Sequence, residues 1–141
     1  MIPQEQLNKL IHRATKARDF AYAPYSGYSV GAALLAKSGQ IYTGANIERA
    51  THDATHAERY ALDSAVLANE REFLAIAVVT AGIDAEFPCG KCRQDLTEFD
   101  SKENLEVIAV TLDGKVQRML LRELLPNSFG PAALGIDVKK Y

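Results

Sequence analysis

The sequence predicts an α/β fold, specifically a three-layer α/β/α sandwich built around a mixed five-stranded sheet. Three observations predict it. Segments with helical spacing of apolar residues alternate with strand-like segments, two turn signals close hairpins, and a continuous aliphatic run at residues 74–80 predicts a buried strand. Because strands that alternate with helices are covered on both faces, the sheet is expected between two helical layers.

The first part of the chain predicts a helix followed by a hairpin. Apolar residues from Leu7 to Ala17 recur at helical spacing, which predicts an amphipathic helix over residues 4–21. Residues 28–36 and 40–44 are expected to form two strands joined at Ser38-Gly39. A β-hairpin therefore opens the sheet.

The remaining elements alternate along the chain. Helical spacing predicts helices over residues 55–69 and 90–99, on either side of the buried strand. Residues 105–112 and 115–119 are expected to form a second hairpin, because Asp113-Gly114 is a strong signal for a tight turn. A short helical tail follows.

Length and charge restrict the classes of partner. The 141 residues fit one domain, 1–141, and the net charge of −2 gives no basic surplus for binding a nucleic-acid backbone. The longest apolar runs fall well below the roughly 20 residues that span a bilayer. We therefore expect neither nucleic acid nor a membrane as a partner.

The amino-terminal segment and the cysteines indicate the compartment. Residues 1–20 lack an apolar signal region and contain Glu5 and Asp19, which predicts a cytoplasmic protein. In a reducing compartment, two cysteines three positions apart are more often metal ligands or a redox pair than a structural disulfide.

Two short stretches carry the candidate chemistry. Thr55-His56-Ala57-Glu58 and Pro88-Cys89-Gly90-Lys91-Cys92 each open a predicted helix. One His and two Cys with an open fourth position is the composition of a catalytic zinc site. Because residues two apart do not share a lateral helix face, His56 and Glu58 could meet a metal only beyond the helix end.

Each stretch has a plainer interpretation. Thr55 and Glu58 have the spacing of a helix capping box, and Cys89 with Cys92 could form a thioredoxin-like dithiol. In a third alternative, a non-catalytic, zinc-stabilised binding module would take a fourth ligand from Asp53 or from a partner. The occurrence of both stretches in one chain favours a site.

The combination of His-Ala-Glu with Pro-Cys-Gly-x-Cys resembles the signature of zinc-dependent nucleoside and base deaminases. Flanking stretches narrow the resemblance to the cytidine deaminase family and cover most of the chain. They are Ala23-Pro24-Tyr25-Ser26, residues 30–35, Gly44-Ala45-Asn46-Ile47-Glu48, Cys92-Arg93-Gln94 and residues 124–129.

The resemblance implies a reaction and a set of catalytic residues. Zn²⁺ would be held by His56, Cys89 and Cys92, and zinc-activated water would attack C4 of cytosine in cytidine or deoxycytidine. Glu58 would carry a proton from the water to ring N3 and then to the departing ammonia.

The resemblance also implies substrate contacts and an assembly. Asn46 and Glu48 match ribose-binding positions, Ala57 would offer backbone groups to the pyrimidine edge, and Tyr28 stands where the family usually has Phe. Phe129 matches an aromatic residue that reaches into a neighbouring subunit's site, in a homotetramer or alternatively a dimer. For Tyr28 and Phe129, core packing is the alternative.

Two departures from the family pattern affect these expectations. His56 stands where the small, tetrameric members usually have Cys, so the ligand set carries one negative charge fewer. The segment from Arg49 to Thr55 is shorter and more charged than usual, and it lies between the ribose-binding pair and the metal ligand. It motivates an alternative substrate, a modified aminopyrimidine nucleoside of the blasticidin type.

Overall fold

The computed structural model describes residues 1–141 and contains the alternating elements that the sequence predicts. In chain order they are α1 (Gln4–Arg18), β1 (Gly31–Ala36), β2 (Ile41–Ala45), β3 (Ile47–Glu48), β4 (Ala54–Thr55), α2 (Ala57–Leu67), β5 (Phe73–Thr80), α3 (Gly90–Thr97), β6 (Glu106–Thr111), β7 (Val116–Leu120) and α4 (Leu121–Leu124), followed by 3₁₀ turns at Pro131–Leu134 and Val138–Lys140.

Five strands form one sheet in the order β2-β1-β5-β6-β7. β5 and β6 run parallel, and every other neighbouring pair is antiparallel. The parallel pair requires a crossover, which α3 provides. The mixed five-stranded sheet is therefore confirmed.

The two faces of the sheet carry separate cores. On one face α1 packs Leu7, Leu10 and Ala14 against alternate residues of the central strands. On the other face α2 and α3 pack against the opposite set, which includes Ile76 and Val78 of β5. This alternation along buried strands confirms the three-layer arrangement.

Gly44 sets the distance between β2 and the start of α2. A Cβ at this position would lie 2.3 Å from the Ala57 carbonyl oxygen and 2.7 Å from the Ala61 nitrogen. Any side chain would therefore force the helix backbone away from the sheet. The glycine holds the first turn of α2, and with it His56, close to the strand.

The structure differs from the sequence prediction at element boundaries. α1 ends at Arg18 and β1 begins at Gly31, so residues 19–30 are mainly turns and irregular segments. The two-residue strands β3 and β4, which pair Ile47 with Thr55, are too short to show a periodic pattern. None of the helices combines the length and apolar character needed to cross a bilayer.

Candidate active site

The cluster of His56, Cys89 and Cys92 lies where two helices begin. His56 is the N-cap of α2, Cys89 is the N-cap of α3, and Cys92 lies in the first turn of α3. The ligand atoms of all three residues lie within 4.8 Å of one another. His56 Nδ1 is 3.3 Å from Cys92 Sγ and 3.5 Å from Cys89 Sγ. The two sequence stretches therefore meet at one point.

This spacing fits a tetrahedral metal site. With Zn–S near 2.3 Å and Zn–N near 2.0 Å, a tetrahedral ion separates nitrogen and sulfur by about 3.5 Å. Both cysteines are free thiols. Neither Asp53 nor His52 belongs to the cluster, so the structure contradicts the alternative in which Asp53 supplies a fourth ligand.

The electrostatics of the cluster also favour a cation. Burial raises the pKa of the Cys92 thiol, and the neighbouring Glu58 carboxylate and Cys89 act in the same direction. A divalent cation in contact with the sulfur reverses this balance and lets the thiol ionise. Zn²⁺ is the ion that one imidazole and two thiolates fit best.

The nearby arginines do not neutralise the thiolates. Arg59 lies 3.8 Å from Asp95 and 3.9 Å from Asp63. Arg93 donates hydrogen bonds to the carbonyls of Pro88 and Leu124. Both arginines thus bind other groups. This agrees with the residue types of the cluster, because one neutral imidazole and two thiolates carry less negative charge than three thiolates and need fewer positive charges nearby.

A pocket of about 320 Å³ opens beside the cluster. This volume lies in the range of small-molecule sites. Five further residues predicted from the sequence line the pocket together with His56 and Cys89 of the cluster; they are Tyr28, Asn46, Glu48, Ala57 and Glu58.

Glu58 is buried in this pocket without a cationic partner. Glu58 is only 7% exposed, and its carboxylate takes part in no salt bridge. Burial raises the pKa of this carboxyl above its usual value. A carboxyl whose pKa is shifted upward is suited to take up and release a proton near neutral pH.

The capping-box interpretation of Glu58 is wrong. α2 begins at Ala57 with His56 as its N-cap, and Thr55 lies in β4. The Thr55 hydroxyl accepts a hydrogen bond of 3.1 Å from Arg49 Nη1. Because β4 pairs with β3, Thr55 lies in a strand and does not cap α2. The Glu58 side chain is therefore free to line the pocket.

Asn46 and Glu48 hold the opposite wall of the pocket in place. Asn46 accepts a hydrogen bond from the Val30 amide at 2.9 Å and donates one to the Tyr28 carbonyl at 2.8 Å. Glu48 accepts from the amides of Tyr25 and Ser26. Hydrogen bonds from Ser26 hold the pKa of Glu48 below its usual value, so its carboxylate stays ionised at the pocket.

Tyr28 and Phe129 are not core residues. Tyr28 is 40% exposed and lines the pocket, whereas Phe129 is 63% exposed and lies outside it. The Phe129 carbonyl accepts a hydrogen bond of 2.7 Å from Gln94 Nε2, which ties the tail to α3. The core-packing alternative is therefore wrong for both side chains.

Sequence reasoning missed several residues of the pocket wall. Thr80, Glu86 and Phe87 come from the end of β5 and from the loop that leads to Cys89. The loop carries no periodic pattern or motif before Pro88. Only Thr80 gave a signal, because it is the polar residue that ends the aliphatic run.

Comparisons with known proteins agree with this geometry. A family model described as the cytidine and deoxycytidylate deaminase zinc-binding region matches residues 4–108. A cytidine deaminase of Sporosarcina psychrophila is 43% identical over 124 residues, covering 87% of this chain and 90% of that protein. One of Halalkalibacterium halodurans is 44% identical over 121 residues, covering 85% and 91%.

Solved structures give the same result. The crystal structure of cytidine deaminase from Burkholderia pseudomallei matches with a TM-score of 0.82 and 42% identity, covering 86% of this chain and 98% of that one. The enzyme from Mycobacterium tuberculosis matches with a TM-score of 0.76 and 34% identity, covering 88% and 97%. The chain belongs to the zinc-dependent cytidine and deoxycytidylate deaminase family.

Proposed function

We propose that this protein hydrolyses the amino group of cytidine and deoxycytidine, releasing ammonia and the corresponding uridine nucleoside. The observation that carries the proposal is the position of Glu58, a buried carboxyl without a cation partner, in the same pocket as the ligands His56 and Cys89. The cytidine deaminases among its relatives support the choice of substrate.

His56, Cys89 and Cys92 would hold the metal, and Zn²⁺ when bound would supply a water molecule that is acidic enough to act as nucleophile near neutral pH. Glu58 takes one proton from the attacking water and passes it to ring N3, and it then carries the second proton, from the hydroxyl added at C4, to the leaving amino group. Burial raises the pKa of Glu58, which suits a group that must be protonated and deprotonated in each cycle.

The remaining pocket residues orient the nucleoside. Asn46 and Glu48 have hydrogen-bonding capacity left beyond their contacts with the 25–30 segment, and we assign them to the ribose hydroxyls. Ala57 offers backbone groups to the edge of the base at the start of α2, and Tyr28 packs against the ring.

The charge of the pocket favours an unphosphorylated substrate. Glu48, Glu58 and Glu86 line it, and no lysine or arginine does. A phosphate group bound near several carboxylates without a cation would be repelled. Free nucleosides are therefore the expected substrates.

Assembly and location complete the proposal. We assign the whole chain, 1–141, to one cytoplasmic deaminase domain that forms a homotetramer, with a dimer as the alternative. The exposed Phe129 supports this arrangement, since its aromatic ring is free to enter a neighbouring subunit's pocket. The mass in solution tests the assembly: a monomer with full activity contradicts it, and in an oligomer Phe129→Ala is expected to weaken nucleoside binding.

One observation favours a modified aminopyrimidine nucleoside as a second candidate substrate. Arg49, His52 and Asp53 line a shallow cleft that shares Ser26 and Glu48 with the pocket. The short, charged segment therefore lies where a substituent on the sugar would extend, and it could accommodate a larger nucleoside.

Zinc content and ammonia release test the proposed function together. We expect one zinc per chain and release of ammonia from cytidine, and Cys89→Ala should lose both because only three protein ligands are available. His52→Ala is the matched control and should keep its zinc. Turnover of a modified nucleoside without turnover of cytidine would favour the second candidate.

A further inference from the structure

Thr80 lies in the pocket wall with a hydroxyl that no other group of the protein hydrogen-bonds. It is the last residue of β5 and is 4% exposed. Its Oγ1 is shielded from solvent and has no partner. Asp95 Oδ2 is the other such atom, but Lys91 lies 3.5 Å from it. The unpaired hydroxyl of Thr80 is thus unlike every other buried hydroxyl of the molecule.

The side chain of Thr80 belongs to the active-site face of the sheet. Successive residues of a strand point to opposite faces, so Thr80 shares a face with Val78 and Ile76. Ile76 and Val78 pack with residues of α2, and Val78 and Thr80 both line the pocket. The hydroxyl is therefore on the side of the sheet that carries the metal ligands.

Thr111 shows what an ordinary threonine does in an equivalent position. It is the register partner of Thr80 on the parallel strand β6 and is 2% exposed. Its hydroxyl donates to Asp113 and accepts a hydrogen bond of 2.9 Å from the Lys115 amide. Of two buried threonines at the same level of adjacent strands, the one beside a turn has its hydroxyl paired, and the one that lines the pocket does not.

An unpaired buried hydroxyl is unfavourable, and contact with a bound ligand is one of the few ways in which a native protein offsets this cost. We propose that the Thr80 hydroxyl is a substrate-binding group that hydrogen-bonds a polar atom of the bound nucleoside. The inference rests on the proposed function. A hydroxyl both donates and accepts, so it can serve a carbonyl oxygen, an amino group or a ribose hydroxyl.

The surroundings of the hydroxyl permit this contact. Because Oγ1 is covered, it reaches a ligand by rotation about the Cα–Cβ bond or by a shift of the loop over residues 81–86. Gly82 lies next to it in that loop, and a Cβ there would lie 3.7 Å from Oγ1. Gly82 has no side chain, so the space next to the hydroxyl on this side stays open.

Replacement of Thr80 by Val tests the inference, because Val keeps the shape and removes the hydroxyl. We expect Thr80→Val to lower kcat/KM for cytidine about 3–10-fold, the fold-change expected for one neutral hydrogen bond, and to leave Tm unchanged or higher. Thr80→Ser should restore kcat/KM. Thr111→Val is the matched control and should lower Tm with kcat/KM unchanged.

Binding of the product uridine, measured by calorimetry, gives a readout that does not depend on turnover. Weaker binding of uridine to Thr80→Val shows that the contact is also made in the product complex. A loss of kcat/KM for cytidine with unchanged binding of uridine shows that the contact is made to the substrate or its transition state only. A variant that binds uridine and turns over cytidine like the parent overturns the inference, whereas a parent that releases no ammonia from cytidine contradicts the proposed function instead.

Discussion

Two buried glutamates, Glu58 and Glu106, show opposite solutions to the same physical problem. Glu106 is 1% exposed in β6 and pairs with Arg118, and it also accepts a hydrogen bond of 2.9 Å from the Ile2 amide. Glu58 is nearly as buried but has no cationic partner. A paired buried carboxylate makes the loss of its partner costly to the fold, whereas one without a cation beside it keeps the capacity to exchange a proton.

The two glutamates also differ in what their surroundings do. Arg118 also donates a hydrogen bond to the Ile2 carbonyl, so Glu106 and Arg118 together anchor the amino terminus to β6 and β7. No comparable network holds the Glu58 carboxylate in the pocket. The protein thus pairs a buried carboxylate with an arginine at the amino terminus and places a second buried carboxyl, without an arginine or lysine beside it, where the proposed chemistry takes place.

The largest expected effect comes from Glu58→Gln. The amide keeps the shape of the side chain but cannot carry a proton, and general acid/base groups typically supply about 10²–10⁴-fold in rate. We expect at least this loss in kcat, with zinc content unchanged and Tm equal or higher, because an unpaired ionisable group has been removed from a buried position.

Ammonia release and thermal unfolding of the same preparation measure both quantities. A Glu58→Gln protein that keeps more than about a tenth of the parent rate would exclude Glu58 from proton transfer. It would also remove the distinction drawn between the two glutamates.

An intermediate effect is expected from Glu106→Gln. Removing one partner of a buried ion pair costs about 3–5 kcal/mol, and we expect the lower end because Arg118 retains contact with solvent. The free energy of unfolding measured with denaturant should fall accordingly, while kcat of the folded protein stays unchanged.

The double variant Glu106→Gln with Arg118→Met is the control for this pairing. Because it removes both charges, it should recover part of the stability lost in the single variant. An additive loss in the double variant would show that the two residues act independently.

The smallest effect concerns a half-buried carboxylate, Glu72, which contacts Lys37, Lys102 and Lys139. Hydrogen bonds from Lys139 and Lys37 lower the pKa of Glu72 from 4.5 to about 2. Its contribution to stability is therefore complete above pH 4.5 and is lost as the pH falls from 4.5 towards 2.

Glu72→Gln should weaken this acid dependence. The difference in Tm between parent and variant is expected to shrink as the pH is lowered through this interval. A difference that stays constant would mean that the lysines do not hold the tail residue Lys139 through this carboxylate.

The sequence predicted the layers and the three residues that meet at one point well, because each depends on patterns that short stretches carry. The aliphatic run of β5 and the helical spacing of apolar residues in α1 indicate which residues are buried. His and Cys at positions 56, 89 and 92 indicate a metal site, because these residue types are common metal ligands. These three residues lie at the starts of α2 and α3, which the fold brings together.

What the sequence could not predict depends on long-range pairing. β3 and β4 are two residues each, and their pairing moves the start of α2 from Thr55 to Ala57. The unpaired state of Thr80 and the lack of a cation beside Glu58 are properties of the folded surroundings, which no local pattern encodes. Glu86 and Phe87 enter the pocket through an irregular loop for the same reason.

Gly44 has a consequence for how this protein can diversify. Because β2 and the first turn of α2 touch through their backbones at this glycine, the metal-binding half of the site has no freedom to drift. The exposed segment over residues 49–53 lies outside both cores and borders the pocket's outer cleft. Insertions there are therefore expected to cost little stability, whereas His52, with its φ of 63°, favours residues that adopt the left-handed conformation. New substrate ranges can evolve in that segment while the reaction centre stays unaltered.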